Sequence, residues 1–222
     1  MMKNAKRAGI VCLVATGLLA ACSGSSGPTV KALQTVEIRE YQGENLSSIG
    51  DFRENSIKGP QTVSLDTYRL KVSGLVDNPL TLTYDQVLEH DKYNKVVTLH
   101  CVEGWDVTIL WEGILIDDLL QDAKAQPGAV IAIFHAVDGY TSSLTLDYLR
   151  QNKILLANKM NGVVMPAERG FPFMVVAEAK WGYKWVKWVD EIRLSDDPNY
   201  RGYWESNGYS NNGDQSGSMF AP

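Results

Sequence analysis

Cysteine and histidine are both scarce in this chain, three of each among 222 residues. The cysteines stand at 12, 22 and 101 and the histidines at 90, 100 and 135. No CxxC, HxxxH or HExxH spacing occurs, which removes the zinc-finger and metalloprotease signatures. No CxxCH or iron–sulfur cysteine cluster occurs either, so the chain offers no attachment for a haem or a cluster of its own. Positive charge is in deficit, with 21 Lys and Arg against 26 Asp and Glu. That balance argues against a nucleic-acid partner, which asks for a basic face. A GxxxxGK[ST] loop and a GxGxxG turn after a strand are missing too, so phosphate would have to be held by side-chain cations. No internal repeat is visible.

The N-terminus has a definite form. Lys3, Lys6 and Arg7 precede an apolar run from Ile10 to Ala20, and Leu19-Ala-Ala-Cys22 closes it. This is the layout of a secretory signal, and its small-residue site ending in cysteine resembles a bacterial lipoprotein signal. In that reading Cys22 is acylated and becomes the mature N-terminus. A short transmembrane anchor is the other reading, but the run is short for a bilayer core of about 30 Å. The expected organisation is a lipoprotein signal peptide at 1–21, a tether at 22–36, one domain at 37–206 and a C-terminal tail at 207–222. The protein is then exported and lipid-anchored through Cys22 to a bacterial membrane, facing the periplasm or the cell exterior. Processing would remove Cys12 and take the net charge from −5 to −8. Cys101 is left alone, with no disulfide framework to join.

The body of the chain reads as short strands separated by turns. Tyr68 to Val72 alternates, Gly74 to Pro79 turns, and Leu80 to Thr83 is β-prone. Thr83 with Gln86 three residues on forms a capping box for the helix of YDQVLEHD. Val96 to Cys101 is an apolar strand, and Ile114 to Ala123 a short amphipathic helix. Ala129 to Ala136 reads as a buried strand, Thr141 to Leu146 alternates, and Asn161-Gly162 marks a hairpin. Phe173 to Ala177 and Lys184 to Leu194 read as two further strands. Many short strands with two or three short helices, and no βαβ alternation, predict an α+β, mostly β domain. The tail from Asn207 is poor in core-forming residues.

Candidate chemistry centres on few residues. His90 sits late in a helix where a cation suits the dipole. His135 reads as a core histidine, or as a distant partner for a Cys101 nucleophile. His100 adjoins Cys101, but neighbouring strand residues point to opposite faces and do not share a metal easily. Lys180, Lys184 and Lys187 fall in KWGYKWVKWV; they are either anion-holding cations or snorkelling lysines of a solvated edge strand. In a strand starting near Lys184, the residues Lys184, Val186 and Trp188 share one face. Trp181, Trp185 and Trp188 suggest an aromatic wall.

Five stretches, taken in order, carry a resemblance. They are YRLKVSGLVDNPLTL from Tyr68, VVTLHCVEGW from Val96 with LWEGILIDDLL after it, DGYTSSLTL from Asp138, LLANKMNG from Leu155, and KWGYKWVKWVDEIRL from Lys180. Together they resemble the sulfite-oxidase-type molybdopterin domain over about Phe52 to Glu205. Cys-Val-Glu-Gly-Trp is similar to the Cys-Val-Glu-Ala-Trp of bacterial sulfoxide-reductase catalytic subunits. The resemblance implies a molybdopterin-binding fold with mixed sheets and short helices, and molybdenum–molybdopterin as cofactor. It also implies Cys101 as the protein thiolate on the metal, for which a soft donor is suited.

The other implied positions come segment by segment. Glu103 shares the parity of Cys101 if the strand continues, and lines the same cavity or stands as a rim carboxylate; Trp105 would wall it. FRENS at Phe52 to Ser56 matches an Arg-Asn segment near the pterin and gives Arg53, Asn55 and Ser56. Thr141 or Ser142 matches a cofactor-contacting position. Trp185-Val186-Lys187, with Lys184 beside it, falls where the relatives carry a Gly-Ile-Lys segment. The chain departs at Met174, near a family arginine, and at Arg169, near a family asparagine; Arg169 is a candidate to supply the phosphate's counter-charge. The implied activity is oxygen-atom transfer on a small sulfoxide-like or sulfite-like molecule. Electrons would come from a separate protein, membrane haem-bearing or quinone-linked. Two other readings stay open: a cofactor-free surface module that reuses the fold, and a thiol-based redox enzyme using Cys101 alone.

Overall fold

The computed structural model describes residues 29–221, and the signal peptide and acylated Cys22 expected earlier in the chain lie outside them. Helix α1 (Val30–Leu33), capped by Thr29, occupies part of the expected tether, and a small hairpin of β1 (Glu40–Tyr41) and β2 (Glu44–Asn45) comes after it. Next come β3 (Leu70–Gly74), β4 (Leu80–Leu82), α2 (Tyr84–Val87), β5 (Tyr93–His100), β6 (Asp106–Leu115) and α3 (Ile116–Asp122). The chain continues through β7 (Ile131–Ala136), β8 (Thr141–Thr145), α4 (Leu146–Gln151), β9 (Leu155–Met160) and β10 (Val163–Val164). It closes with β11 (Met174–Val176), β12 (Val189–Ser195) and α5 (Tyr203–Ser206). The domain is mostly β with short helices, as the turn-rich sequence predicts. Among the described residues no helix is long and apolar enough to cross a membrane.

Two five-stranded sheets carry the domain. One has the order β4-β3-β12-β7-β8; the other has β10-β9-β6-β5, with β11 added on β9. Neighbours are antiparallel except for β3 and β12, which run parallel in the register Ile192↔Val72. β7 and β9 are buried along almost their whole lengths. That explains why IAIFHA is a near-continuous apolar run where a half-solvated strand would alternate; LLANKM buries a polar residue as well, Asn158, whose amide donates to the Tyr84 hydroxyl at 3.1 Å. β8 differs from its expected alternation for the same reason, since Ser142, Ser143 and Leu144 are all buried. Trp111 on β6 is fully buried and still satisfies its indole N–H, which donates to the Val97 carbonyl at 3.1 Å.

Local signals set the connections. The capping box at Thr83 forms with both reciprocal bonds, Gln86 N–H to Thr83 Oγ1 at 3.2 Å and Thr83 N–H to Gln86 Oε1 at 2.8 Å. Asn161 and Gly162 take φ of 47° and 77° between β9 and β10, the left-handed pair that a tight hairpin needs. Asn161 is also buried, and its amide donates to Glu37 and to the Ser47 carbonyl at 2.9 Å each, tying the N-terminal segment to this turn. The helix expected from Ile114 starts only at Ile116 because β6 runs on to Leu115; Asp117 and Asp118 then fill its first turn, where the dipole favours them.

Gly113 marks a close approach between β6 and β9. A Cβ there would lie 2.2 Å from the Leu156 carbonyl oxygen, next to a register shift in the pairing. Gly113→Ala is therefore expected to lower stability by about 1–3 kcal/mol, the usual range for overpacking. Urea unfolding midpoints measure it, and an unchanged midpoint would mean that β9 yields freely.

Candidate active site

The tip of the β5–β6 hairpin fixes the thiol. Its ladder ends with His100↔Asp106, and the Cys101 N–H then donates to the Trp105 carbonyl at 2.9 Å. Gly104 N–H donates back to the Cys101 carbonyl at 3.1 Å, with Gly104 at φ 81°. Residues 101–105 are thus a tight loop rather than a continued strand. Parity along a strand, the expected reason for placing Glu103 beside Cys101, does not apply; the loop itself brings both onto one cavity.

A second segment meets this loop from across the cleft. Trp181 bridges to His100, and the 3-10 turn Gly182–Lys184 comes next. A Cβ on Gly182 would stand 3.3 Å from the His100 carbonyl oxygen and 3.4 Å from the Cα of Cys101, so a side chain there would crowd the thiol loop. The strand expected from Lys184 begins only at Val189, because Trp188 adopts φ 57° and breaks the extended run. The predicted face of Lys184, Val186 and Trp188 is therefore not formed. Lys184 and Val186 turn into the interior, while Trp185, Lys187 and Trp188 face the cleft.

The third segment is the Phe52–Ser56 loop. The Asn55 amide donates to Cys101 Sγ at 3.6 Å. Both carboxylate oxygens of Glu54 lie 3.1 Å from Lys187 Nζ. Arg169 enters behind the loop: its Nε donates to the Ile49 carbonyl at 2.9 Å, and its guanidinium stands 5.2 Å from the Phe52 ring centre. Phe52 packs edge-on to Trp105 and Trp111, at 6.0 and 6.2 Å, and Trp111 lies 5.6 Å from Trp185. The core indole thus supports the rings around the thiol.

Two adjoining cavities result. The larger, about 150 Å³, is bordered by Cys101, Glu103, Asn55 and Lys187 and by the rings of Tyr140, Tyr183, Trp185, Trp188, Trp204 and Tyr209. The smaller, about 50 Å³, collects Arg53, Arg169 and Lys187 with Glu54, Phe52, Trp105 and Met174. Cys101, Asn55, Gly182, Trp185 and Lys187 border both.

Burial pushes the Cys101 thiol above its ordinary pKa and the Glu103 charge adds to this, while N–H donors from Glu103, Asn55 and Val102 partly offset it. Burial likewise pushes Lys187 and Arg169 down, and Glu54 acts on both in the opposite sense. Burial alone would raise Glu54, but donors from Ser56 and the charge of Lys187 hold it below the usual carboxylate value.

The remaining expected residues border neither cavity. Ser56 donates to Glu54, and Thr141 accepts from the Tyr200 hydroxyl at 3.0 Å. Ser142 donates to Glu205 at 2.5 Å, and Lys184 pairs with the same carboxylate oxygen at 2.6 Å. Val186 is buried, its carbonyl accepting from Val175 N–H. Sequence reasoning missed Glu54, Tyr140, Trp204 and Tyr209. The visible signal was a set of aromatics in turn-rich text, around Gly139 and between Gly202 and Gly213.

Molybdenum–molybdopterin makes three demands: a soft donor for the metal, cations for a phosphate, and flat apolar walls for the pterin. Cys101 supplies the first at the wall common to both cavities. Arg53, Arg169 and Lys187 supply the second, and the rings of Phe52, Trp105 and Trp185 the third. The residues present fit the group.

Comparison with known proteins gives the family. The profile of the family described as oxidoreductase molybdopterin binding domain matches residues 57–204. The uncharacterized oxidoreductase YuiH of Bacillus subtilis is 33% identical over 156 residues, covering 70% of this chain and 78% of YuiH. The protein-methionine-sulfoxide reductase catalytic subunit MsrP of Gluconobacter oxydans is 31% identical over 170 residues, 68% of this chain and 54% of MsrP. The chain thus spans about half the length of that catalytic subunit. Among solved structures, the sulfane dehydrogenase SoxCD from Paracoccus pantotrophus superposes with a TM-score of 0.60 at 22% identity, over 63% of this chain and 41% of its own, a likeness of fold. The chain belongs to the oxidoreductase molybdopterin-binding domain family, whose cofactor is molybdenum–molybdopterin.

Proposed function

We propose that this oxidoreductase takes an oxygen atom from a small sulfoxide-like substrate, working as a reductase rather than as an oxidase of a sulfite-like one, with Cys101 as the thiolate on molybdenum. One observation carries the reading: the thiol stands on the wall shared by a cation-lined cavity and an aromatic one. The cofactor, when bound, supplies two-electron oxygen-atom transfer; the protein orients and tunes it. Cys101 would hold the metal, and the raised pKa of its buried thiol speaks against a free-thiol nucleophile, which needs a lowered one. Asn55 donates to the sulfur and fixes its direction.

Arg53, Arg169 and Lys187 would hold the phosphate, with Arg169 taking over the charge that Met174 does not provide. The aromatic rings keep water from the reacting face. Glu103 is the carboxylate on the aromatic cavity's lining and would relay from solvent the two protons that, with two electrons from the partner, let the oxygen taken from substrate leave as water. Electrons come from a separate protein, membrane haem-bearing or quinone-linked. The relative in Gluconobacter oxydans is called a catalytic subunit, a name that supports such a division of labour. Export and lipidation at Cys22 would keep the domain beside a membrane partner.

Protein purified from cells that make the cofactor is expected to carry about one molybdenum per chain, as a site with one protein thiolate requires. With an artificial electron donor it is expected to reduce sulfoxides or amine oxides, while sulfite with an acceptor dye gives little turnover. Metal-free protein, or sulfite oxidation as the sole activity, overturns the reading.

A further inference from the structure

The outer wall of the aromatic cavity comes from a segment at the very end of the family match. That match stops at residue 204, whereas Trp204 and Tyr209 both line the cavity. Their rings meet edge-on at 5.3 Å, and Tyr209 meets Tyr183 at 5.1 Å, so the wall is continuous with the Gly182–Lys184 turn.

The segment is anchored more firmly than its Gly- and Asn-rich text suggests. Glu205, fully buried, accepts from Lys184 Nζ at 2.6 Å and from Ser142 Oγ at 2.5 Å. Lys184 donates again to the Asn211 carbonyl at 3.0 Å, and the Tyr183 hydroxyl to the Ser210 carbonyl at 2.7 Å. Trp181 N–H donates to the Gly213 carbonyl at 2.8 Å, and Lys180 pairs with Asp214 at 2.5 Å. At Gly202 a Cβ would fall 2.3 Å from the Thr141 carbonyl oxygen, and at Gly213 one would fall 2.6 Å from the Lys184 side chain. The backbone there passes too close to admit side chains.

We propose that residues 203–214 form a substrate-selecting wall, in which Trp204 and Tyr209 are specificity-determining residues admitting compact, methyl-bearing neutral or cationic oxides and disfavouring anions. The proposal rests on the proposed function above, and takes the aromatic cavity that Glu103 lines as the one that receives the substrate. Aromatic faces carry negative charge density and attract methyl groups next to sulfur or a positive centre. Glu103 adds a negative charge to the same lining, and the cation there, Lys187, is shared between Glu54 and the phosphate it is proposed to hold. An anion entering from this side finds no unpaired positive group on the lining.

The test uses holoenzyme carrying Trp204→Ala, Tyr209→Ala, or Trp204→Phe and Tyr209→Phe should the alanine forms not fold. Molybdenum content and the visible spectrum are recorded first. Steady-state kinetics are then measured with dimethyl sulfoxide, a bulky aryl methyl sulfoxide and sulfite. Full metal content is expected, with the kcat/KM ratio of bulky to small sulfoxide rising about 10-fold or more, the scale on which pocket contacts discriminate. The change should lie mainly in KM, with a smaller shift in the same direction for the phenylalanine forms. An unchanged ratio in metal-replete variants overturns the wall and leaves the proposed function standing. Wild-type enzyme that holds molybdenum but reduces no oxide overturns the proposed function, and the wall with it.

Discussion

Cys101→Ala protein is expected to purify folded, colourless and without molybdenum. The backbone bonds that shape its loop, Cys101 N–H to Trp105 and Gly104 N–H to Cys101, do not involve the side chain and survive the change. Loss of one buried sulfur then costs on the order of 1 kcal/mol, a typical figure for a point mutant. Cofactor retention is another matter, since Cys101 is the free cysteine of the described residues and borders both cavities. Loss of an outer partner of a metal ligand typically weakens a site about 10–100-fold, so loss of the ligand itself is expected to exceed roughly 100-fold. Asn55→Ala, which removes only the donor to the sulfur, serves as the milder comparison and should keep a coloured fraction. Elemental analysis and absorbance of both variants, beside a thermal melt, decide the matter. Molybdenum retained at the wild-type level by Cys101→Ala would remove the thiolate from the proposal.

Glu205→Ala is expected to destabilise the domain by about 3–5 kcal/mol, the scale seen when one partner of a buried ion pair is removed. Lys184 has no exposed side-chain area, and burial already pushes its pKa down while Glu205 opposes that shift. Without the carboxylate the ammonium either stays charged in the interior or gives up its proton; both are unfavourable. Ser142 loses its acceptor at the same time. Replacing both partners, Lys184→Met with Glu205→Leu, should cost far less than the single change, because no charge is left stranded. Urea unfolding of the wild type, the single and the double variant measures the difference. If the double variant is no more stable than Glu205→Ala, packing rather than charge is what the pair provides.

The parts of the fold that were legible from sequence rest on local chemistry. Thr83 and Gln86 lie three residues apart and can bond only at a helix start, and Asn161-Gly162 supplies two residues tolerant of positive φ. The buried strand of IAIFHA announces itself by composition, and LLANKM is marked by the hairpin signal that follows it. The segment from Lys184 to Trp188 failed for the opposite reason: its alternation suits a strand, but Trp188 in the left-handed region ends the extended run, and nothing in the neighbouring residues signals it. The site was legible where a chemically unusual residue stood alone, as Cys101 does. Glu205 and Lys184 were hidden because a buried ion pair is made by two side chains that read separately as surface charges. Tyr209 was hidden because its neighbours Gly208, Ser210 and Asn211 describe a loop, while its packing is decided by Tyr183 and Trp204 from elsewhere.

The parallel union of β3 with β12 has a consequence for the time course of assembly. The Tyr68 hydroxyl that donates to Val189 beside this junction reaches across 121 residues of chain. Closing so large a loop comes late, and domains dominated by distant pairings reach the native state on millisecond-to-second scales. The turn carrying Gly182 lies just before β12 and meets the hairpin tip through the bridge of Trp181 to His100, itself a distant pairing, and until it is made a nascent molecule presents its sulfur to any passing oxidant. Maturation is therefore ordered: this distant contact must form before the cleft has both its walls, and the thiol gains its shield only once it has.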